Sequence, residues 1–220
     1  MDTPYRNRQA AGRELATLLS AYADRTDSIV LALPRGGVAV AREVADQLHL
    51  PLDVLVVRKL GLPWQPELAA GAIAPGGVRV TNPDITAYVT DLERVIAPIA
   101  ERERLELERR EAEYRKGRSP LVIRGQDAIL VDDGIATGST MEAAVLAARA
   151  MNARSVIVAV PVAPPETCER LMRMADELIC PRRPMDFMAV GAWYQDFPQM
   201  TDAEVIALLG RPTAVKRAVP

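Results

Sequence analysis

Two adjacent carboxylates, Asp132 and Asp133, lead into a run of small and hydroxylated residues, Gly134-Ile135-Ala136-Thr137-Gly138-Ser139-Thr140. The two halves suit different chemical tasks. Paired carboxylates can accept hydrogen bonds from two neighbouring hydroxyls, or hold a hydrated Mg²⁺. The small-residue run lets the backbone N–H groups of Ala136 to Thr140 converge on one point, where the start of a helix adds partial positive charge that favours a phosphate. A ribose 5-phosphate would fit both halves. The plainer alternative is an ordinary strand-to-helix turn, with the Asp pair closing the strand and Ser139 or Thr137 capping the helix. A nucleotide P-loop is excluded, because no Gly-Lys-Ser/Thr follows a glycine-rich run anywhere in the chain.

Two further loops carry groups that suit an anion. In Pro34-Arg35-Gly36-Gly37 the amides of Gly36 and Gly37 can approach an anion closely while Arg35 supplies charge, although a tight turn without ligand would look the same. Arg58-Lys59-Leu60-Gly61-Leu62-Pro63 places two cations after an apolar run, and its plainer reading is a solvated basic pair. The next residues, Trp64-Gln65-Pro66-Glu67-Leu68, read as a lid that would exclude water during a reaction. His49, the one histidine, ends a helical pattern just before Pro51 and reads as a helix cap or surface residue. With no Ser or Cys nucleophile motif and no His-Glu-x-x-His, triad hydrolases and zinc peptidases are set aside.

The elements that must position these groups follow from hydrophobic periodicity. Ser28–Leu33 and Asp53–Val57 are short continuous apolar runs of the kind that form buried parallel strands, joined by a helix over Val38–Leu48. The order recurs with strand Ala128–Val131, helix Thr140–Met151, strand Ser155–Val160, helix Glu166–Met174 and strand Glu177–Cys180. Such alternation predicts an α/β fold, a twisted parallel sheet flanked by helices. All three loops then fall at the carboxyl ends of strands, where open α/β sheets bind ligands. Tyr5–Ala23 reads as an amphipathic packing helix, and Ala70–Ala74 with Val78–Thr81 reads as a hairpin turned at Pro75-Gly76-Gly77. Residues 84–116 predict a long, highly charged helix with interleaved signs, kinked or divided at Pro98, whose charges form a solvated face or cover a dimer surface.

The chain has 220 residues, 49% of them hydrophobic and 25% charged, enough for one buried core with an elaboration. Residues 1–210 are expected to form a single domain and residues 211–220 a loosely ordered tail. A net charge of −2 gives no electrostatic reason to expect nucleic acid as a partner, and the expected ligands are small and anionic. No apolar run approaches the roughly 18 residues that span a bilayer, so no membrane partner is expected. Cys168 and Cys180, in a chain without a signal-peptide pattern, suggest free thiols and a cytoplasmic location.

The segment Val131 to Thr140 resembles the phosphoribosyl pyrophosphate (PRPP) signature of type I phosphoribosyltransferases, and the resemblance extends over roughly Ser28 to Cys180. Pro34-Arg35-Gly36-Gly37 resembles that family's pyrophosphate loop, which often holds a cis or strained peptide, and Arg58-Lys59 resembles the segment leading into the mobile loop of adenine-type enzymes. The resemblance implies a small hood over the sheet, with the helix at 84–116 as an insertion best matched to a stand-alone, poorly characterised bacterial branch. It implies transfer of the phosphoribosyl group from PRPP to a nitrogen acceptor, such as a nucleobase, with release of pyrophosphate. Asp132, Asp133, Arg35 and Lys59 would be the catalytic set. Ala136, Thr137, Gly138, Ser139 and Thr140 would hold the 5-phosphate, Gly134 and Ile135 would belong to the same PRPP-binding loop, and Arg35, Gly36, Gly37, Arg58 and Lys59 would hold the pyrophosphate. Magnesium would sit at Asp132 and Asp133, through PRPP or water. The acceptor pocket would involve Val162, Phe187 and Trp193, in segments where Trp193, Tyr194 and Phe197 serve either base stacking or core packing. Ala136 departs from the 6-oxopurine enzymes, which usually carry an acid/base Asp there. A homodimer is expected. A PRPP- or nucleotide-sensing module without transfer is the alternative, and hydrolysis or phosphorolysis of a nucleotide would use the same residues in reverse.

Overall fold

Every residue of Ser28–Ala32 (β1) and Asp127–Val131 (β6) is buried, as strands covered on both faces must be. Alternate residues divide between two cores. Val30, Ala32, Ile129 and Val131 face one, with the helix over Arg8–Leu18 (α1) and the helix over Gly37–Leu48 (α2). Ile29, Leu31, Ala128 and Leu130 face the other, with the helices Ser139–Ala150 (α5) and Pro165–Met174 (α6). Leu52–Val54 (β2), Ser155–Ala159 (β7) and Glu177–Ile179 (β8) complete a five-stranded parallel sheet in the order β2-β1-β6-β7-β8. The structure, a computed structural model, describes residues 3–87 and 89–210, so the expected tail at 211–220 lies outside them.

A second sheet forms the hood: Arg58–Leu62 (β3), Gln65–Ala74 (β4) and Val78–Thr81 (β5) pair antiparallel in that order. The sequence suggested a two-stranded hairpin here. The additional strand is the segment containing Arg58 and Lys59, whose alternating burial is poor in apolar signal and becomes a strand by pairing with β4. The expected lid is the tip of this hairpin, and Trp64 there is 61% exposed.

The charged segment contains a short helix, Pro83–Thr86 (α3), and a long one, Leu92–Tyr114 (α4). Pro98 lies inside α4 without dividing it. The break comes earlier, before Asp91, which has a left-handed backbone at φ 51°. Ile96, Ala100 and Leu107 are buried in the main core, and that packing outweighs the backbone bond lost at the proline. On the outer face, Arg104 pairs with Glu101 and Glu108, and Arg109 with Glu106 and Glu113, as the interleaved signs predict. Both ends of α4 are tied down, by Arg79–Glu93 at 2.7 Å and by Arg115–Asp53 at 2.9 Å. A last helix, Asp202–Gly210 (α7), packs against α2 and α4. Thr201 and Glu204 exchange capping bonds at its start.

The N-terminal helix is shorter than expected. Asn7 caps α1, its side chain accepting from the Ala10 amide at 2.9 Å, so Tyr5 is left outside the helix and bridges to Tyr194. His49 is the C-cap of α2, with a left-handed φ of 54°, in line with the cap expected from sequence.

Candidate functional site

The strand order reverses between β1 and β6, since the chain runs outward from β1 to β2 on one side and from β6 to β7 and β8 on the other. Loops leaving the carboxyl ends of these two strands diverge to opposite faces and open a crevice. The loop after β1 is Pro34-Arg35-Gly36-Gly37, and the loop after β6 starts with Asp132-Asp133. The two loops touch. A Cβ built on Gly36 would lie 2.5 Å from Asp133 Cγ and closer still to Oδ2, so only glycine admits this approach. The Pro34–Arg35 peptide is cis, as the resemblance implied.

Asp133 is held from a distant part of the chain. Arg8 Nε donates to Asp133 Oδ2 at 2.8 Å, Arg8 Nη1 donates to the Pro198 carbonyl at 2.8 Å, and the guanidinium lies 3.8 Å from the centre of the Phe197 ring. Tyr194 donates its hydroxyl to the Asp133 carbonyl at 2.5 Å. Asp132 Oδ1 accepts from the Asp133 amide at 2.8 Å. Burial, together with the neighbouring Asp133 charge, pushes the Asp132 carboxyl well above the usual carboxylate range. Burial raises Asp133 as well, against the opposing pull of Arg8. Sequence reasoning gave α1 a packing role only and missed Arg8. Its signal was present, since Arg8 falls on the same stripe as Ala11, Leu15 and Ala16 and is itself buried.

The small-residue loop is braced from the outside. Thr167 donates its hydroxyl to the Ala136 carbonyl at 2.9 Å, Arg170 donates to the Thr137 carbonyl at 2.5 Å, and the Ile135 amide donates to Val162 O at 2.9 Å. With its carbonyls turned to α6, the loop leaves the amides of Ala136, Thr137 and Gly138 without a protein acceptor among the described residues. Ala136, Thr137 and Thr140 are exposed. Gly138, at φ 86°, is the N-cap of α5 and no side chain caps the helix, so the capping role considered for Ser139 or Thr137 is not seen. The amides therefore converge at the positive end of α5, an arrangement that suits a phosphate.

Arg58 and Lys59 open β3 rather than sitting in a loop, a correction that follows from their pairing with Ile73 and Ala72 of β4. They still line a cavity of about 370 Å³ together with Pro34 and Thr140, so the three loops singled out from sequence meet at one space. The far wall is α4, which contributes Ile99, Arg102, Glu103 and Arg110. Arg58 donates from Nε to Glu103 Oε2 at 2.7 Å. The helix expected to be a solvated face thus turns one side to the site. A charge alternation read along the sequence shows which residues can pair within a helix, and says nothing of what the helix docks against.

Of the three residues expected at the acceptor pocket, Val162 is fully buried next to Gly134, where a built Cβ would lie 3.1 Å from Val162 Cγ1. Trp193 packs at the edge of a cluster formed by Tyr5, Ala11 and Tyr194. Phe187 is half-buried and no described contact brings it to the loops. Tyr194 and Phe197 stack on each other at 4.7 Å, which is core packing for Tyr194. Phe197 differs: it lines a second cavity of about 470 Å³ with Arg8, Arg35, Gly36, Asp133 and Val190.

Among the described residues, no group of three or more His, Cys, Asp or Glu side chains is placed to hold a metal ion. Among the described residues, Arg8 on Asp133 is the cationic partner of the Asp pair, and the carboxylates suit a hydrated divalent cation brought in with phosphate oxygens. Cys168 and Cys180 are free and buried. No helix among the described residues is long and apolar enough to cross a membrane.

The family model described as a phosphoribosyl transferase domain matches residues 4–194. Two proteins from strains of Mycobacterium tuberculosis, provisionally named phosphoribosyl transferases, are each 48% identical over 206 residues. The match covers 93% of this chain and 46% of theirs, so the chain spans about half the length of those relatives. The crystal structure of TT1426 from Thermus thermophilus superposes with a TM-score of 0.87 at 44% identity, covering 94% of this chain and 98% of that one.

Proposed function

The chain belongs to the phosphoribosyl transferase domain family, and from that membership we propose that it is a phosphoribosyltransferase acting on PRPP and a nitrogen acceptor of the nucleobase class. The observation that carries the reading is the meeting of three sequence-distant segments at the β1/β6 switch point, which brings together a carboxylate pair, loop amides without a protein acceptor among the described residues, and a cationic cavity. In the reaction a C1–N bond forms and the bond from C1 to the diphosphate oxygen breaks. The electron pair leaves with pyrophosphate, and the acceptor gives up its N–H proton to the departing pyrophosphate or to solvent.

Asp132 and Asp133 hold the ribose hydroxyls and favour the positive charge that develops on the ring. Ala136 to Thr140 bind the 5-phosphate through backbone N–H groups. Arg35, the Gly36 and Gly37 amides, Arg58 and Lys59 balance the charge of the leaving diphosphate. Magnesium, held at Asp132 and Asp133 through water or PRPP, would supply further charge neutralisation to the diphosphate when bound. The acceptor lies in the cavity beside Asp133, between Arg35 and Phe197, with Val162 behind Gly134 fixing its floor. A homodimer in the cytoplasm completes the proposal, the buried free thiols suiting a reducing compartment.

Calorimetric titration of PRPP with Mg²⁺ into the wild type and into Asp132→Asn/Asp133→Asn, followed by a pyrophosphate-release screen over nucleobases, tests the reading. Wild-type binding that the variant loses, with release driven by one base, supports it. Binding with no release for any acceptor would mark a sensor. Absence of PRPP binding in the wild type would overturn the reading.

A further inference from the structure

Four cations line the cavity between the loops and α4: Arg58, Lys59, Arg102 and Arg110. The carboxylate that lines the cavity with them is Glu103, whose side chain is 14% exposed. Glu103 receives Arg58 from both Nε, at 2.7 Å, and Nη2, at 2.5 Å, and Arg102 through Nη2 at 3.2 Å. A carboxylate gripped by two guanidinium forks occupies the kind of position a phosphate oxygen pair would take. Arg110 is steadied by Glu106, which accepts from its Nε at 2.7 Å. Among the described residues, Arg110 hydrogen-bonds through Nε alone.

We propose that α4 is the second wall of the diphosphate subsite: Arg102 and Arg110 bind the diphosphate from the side opposite Lys59, and Glu103 is an internal anion that holds Arg58 until the diphosphate displaces it. The inference rests on the phosphoribosyltransferase reading and adds to it a part of the chain to which no ligand role was given. Ties at both ends, Arg79–Glu93 and Arg115–Asp53, fix α4 in register over the cavity, so its arginines reach the subsite from a rigid element. The cost of displacing Glu103 favours the more highly charged anion, because a diphosphate brings more negative charge and more acceptor oxygens to the guanidinium forks than a single phosphate.

The test is calorimetric titration of magnesium pyrophosphate and, separately, of ribose 5-phosphate. The proteins are the wild type, Arg102→Gln/Arg110→Gln, Arg110→Lys and Glu103→Gln, with circular dichroism and melting temperature checking that each variant folds. The double variant should bind pyrophosphate at least about tenfold more weakly, the expectation for losing charge-assisted hydrogen bonds, and keep its affinity for ribose 5-phosphate. Arg110→Lys should recover part of the loss, and Glu103→Gln should bind pyrophosphate more tightly. Pyrophosphate affinity unchanged in the double variant, or weakened in Glu103→Gln, would overturn the inference while ribose 5-phosphate binding still supports the enzyme reading. A wild type that binds neither ligand overturns both.

Discussion

Gly36 has φ −58° and ψ −39°, values that alanine adopts without strain. On backbone grounds alone Gly36→Ala should therefore stabilise the protein by about 0.4–1 kcal/mol, by narrowing the unfolded ensemble. The new methyl, however, would lie 2.5 Å from Asp133 Cγ, far inside contact distance. A free carboxylate could swing away, but Asp133 is held by Arg8 Nε at 2.8 Å in a pair whose side chains are 9% and 14% exposed. Making room means giving up that bond, which for a charged group costs about 1.5–3 kcal/mol. The difference is a net loss of about 0.5–2.6 kcal/mol. At roughly 2–4 °C per kcal/mol for a chain of this size, the melting temperature should fall by about 1–10 °C. Differential scanning calorimetry decides the sign, and titration of PRPP with Mg²⁺ should show weaker binding in the same variant, because the displaced carboxylate is one of the pair proposed to meet the ribose. A melting temperature equal to or above the wild type, with PRPP affinity intact, would refute the claim that the two loops are locked together through Arg8 and Asp133.

Acid stability should depend on Asp127, where Arg154, hydrogen-bonded to Oδ1 at 2.8 Å, holds the carboxyl below its ordinary value near 3.8, helped by Ser155 and Arg25. Between the folded and unfolded values the unfolded chain binds more protons, so this stabilisation is complete above the unfolded value and is lost as pH falls through the folded one. Urea midpoints measured at pH 7 and at about pH 3 should therefore differ less in Asp127→Asn than in the wild type; equal differences would show that the cluster is not what acid disrupts. Arg170→Gln should leave the melting temperature nearly unchanged, since the side chain is 41% exposed, yet weaken ribose 5-phosphate binding roughly three- to tenfold by loosening the Thr137 carbonyl. Unaltered affinity there would mean that the phosphate loop keeps its shape without α6.

Much of this architecture is local and could be read along the chain. Continuous apolar runs at Ser28–Leu33 and Ala128–Val131 become central strands because a strand covered on both faces has no polar side to show. The loops that follow them carry glycines and hydroxyls whose backbone geometry is set within a few residues, so the groups in Pro34–Gly37 and Asp132–Thr140 that suit an anion can be read from the sequence. Elements whose state depends on a partner were less legible. Arg58–Leu62 is a strand because β4 lies beside it, and Pro98 stays within α4 because Ile96 and Ala100 are buried on either side of it. Arg8 meets Asp133 across 125 positions, and Glu103 meets Arg58 across 45. Periodicity tells which face of a helix is covered, and a motif tells which backbone groups a loop can offer. What covers the face, and which distant charge completes the loop, is decided only when the elements dock, because ion pairing depends on distance in space and not on separation along the chain.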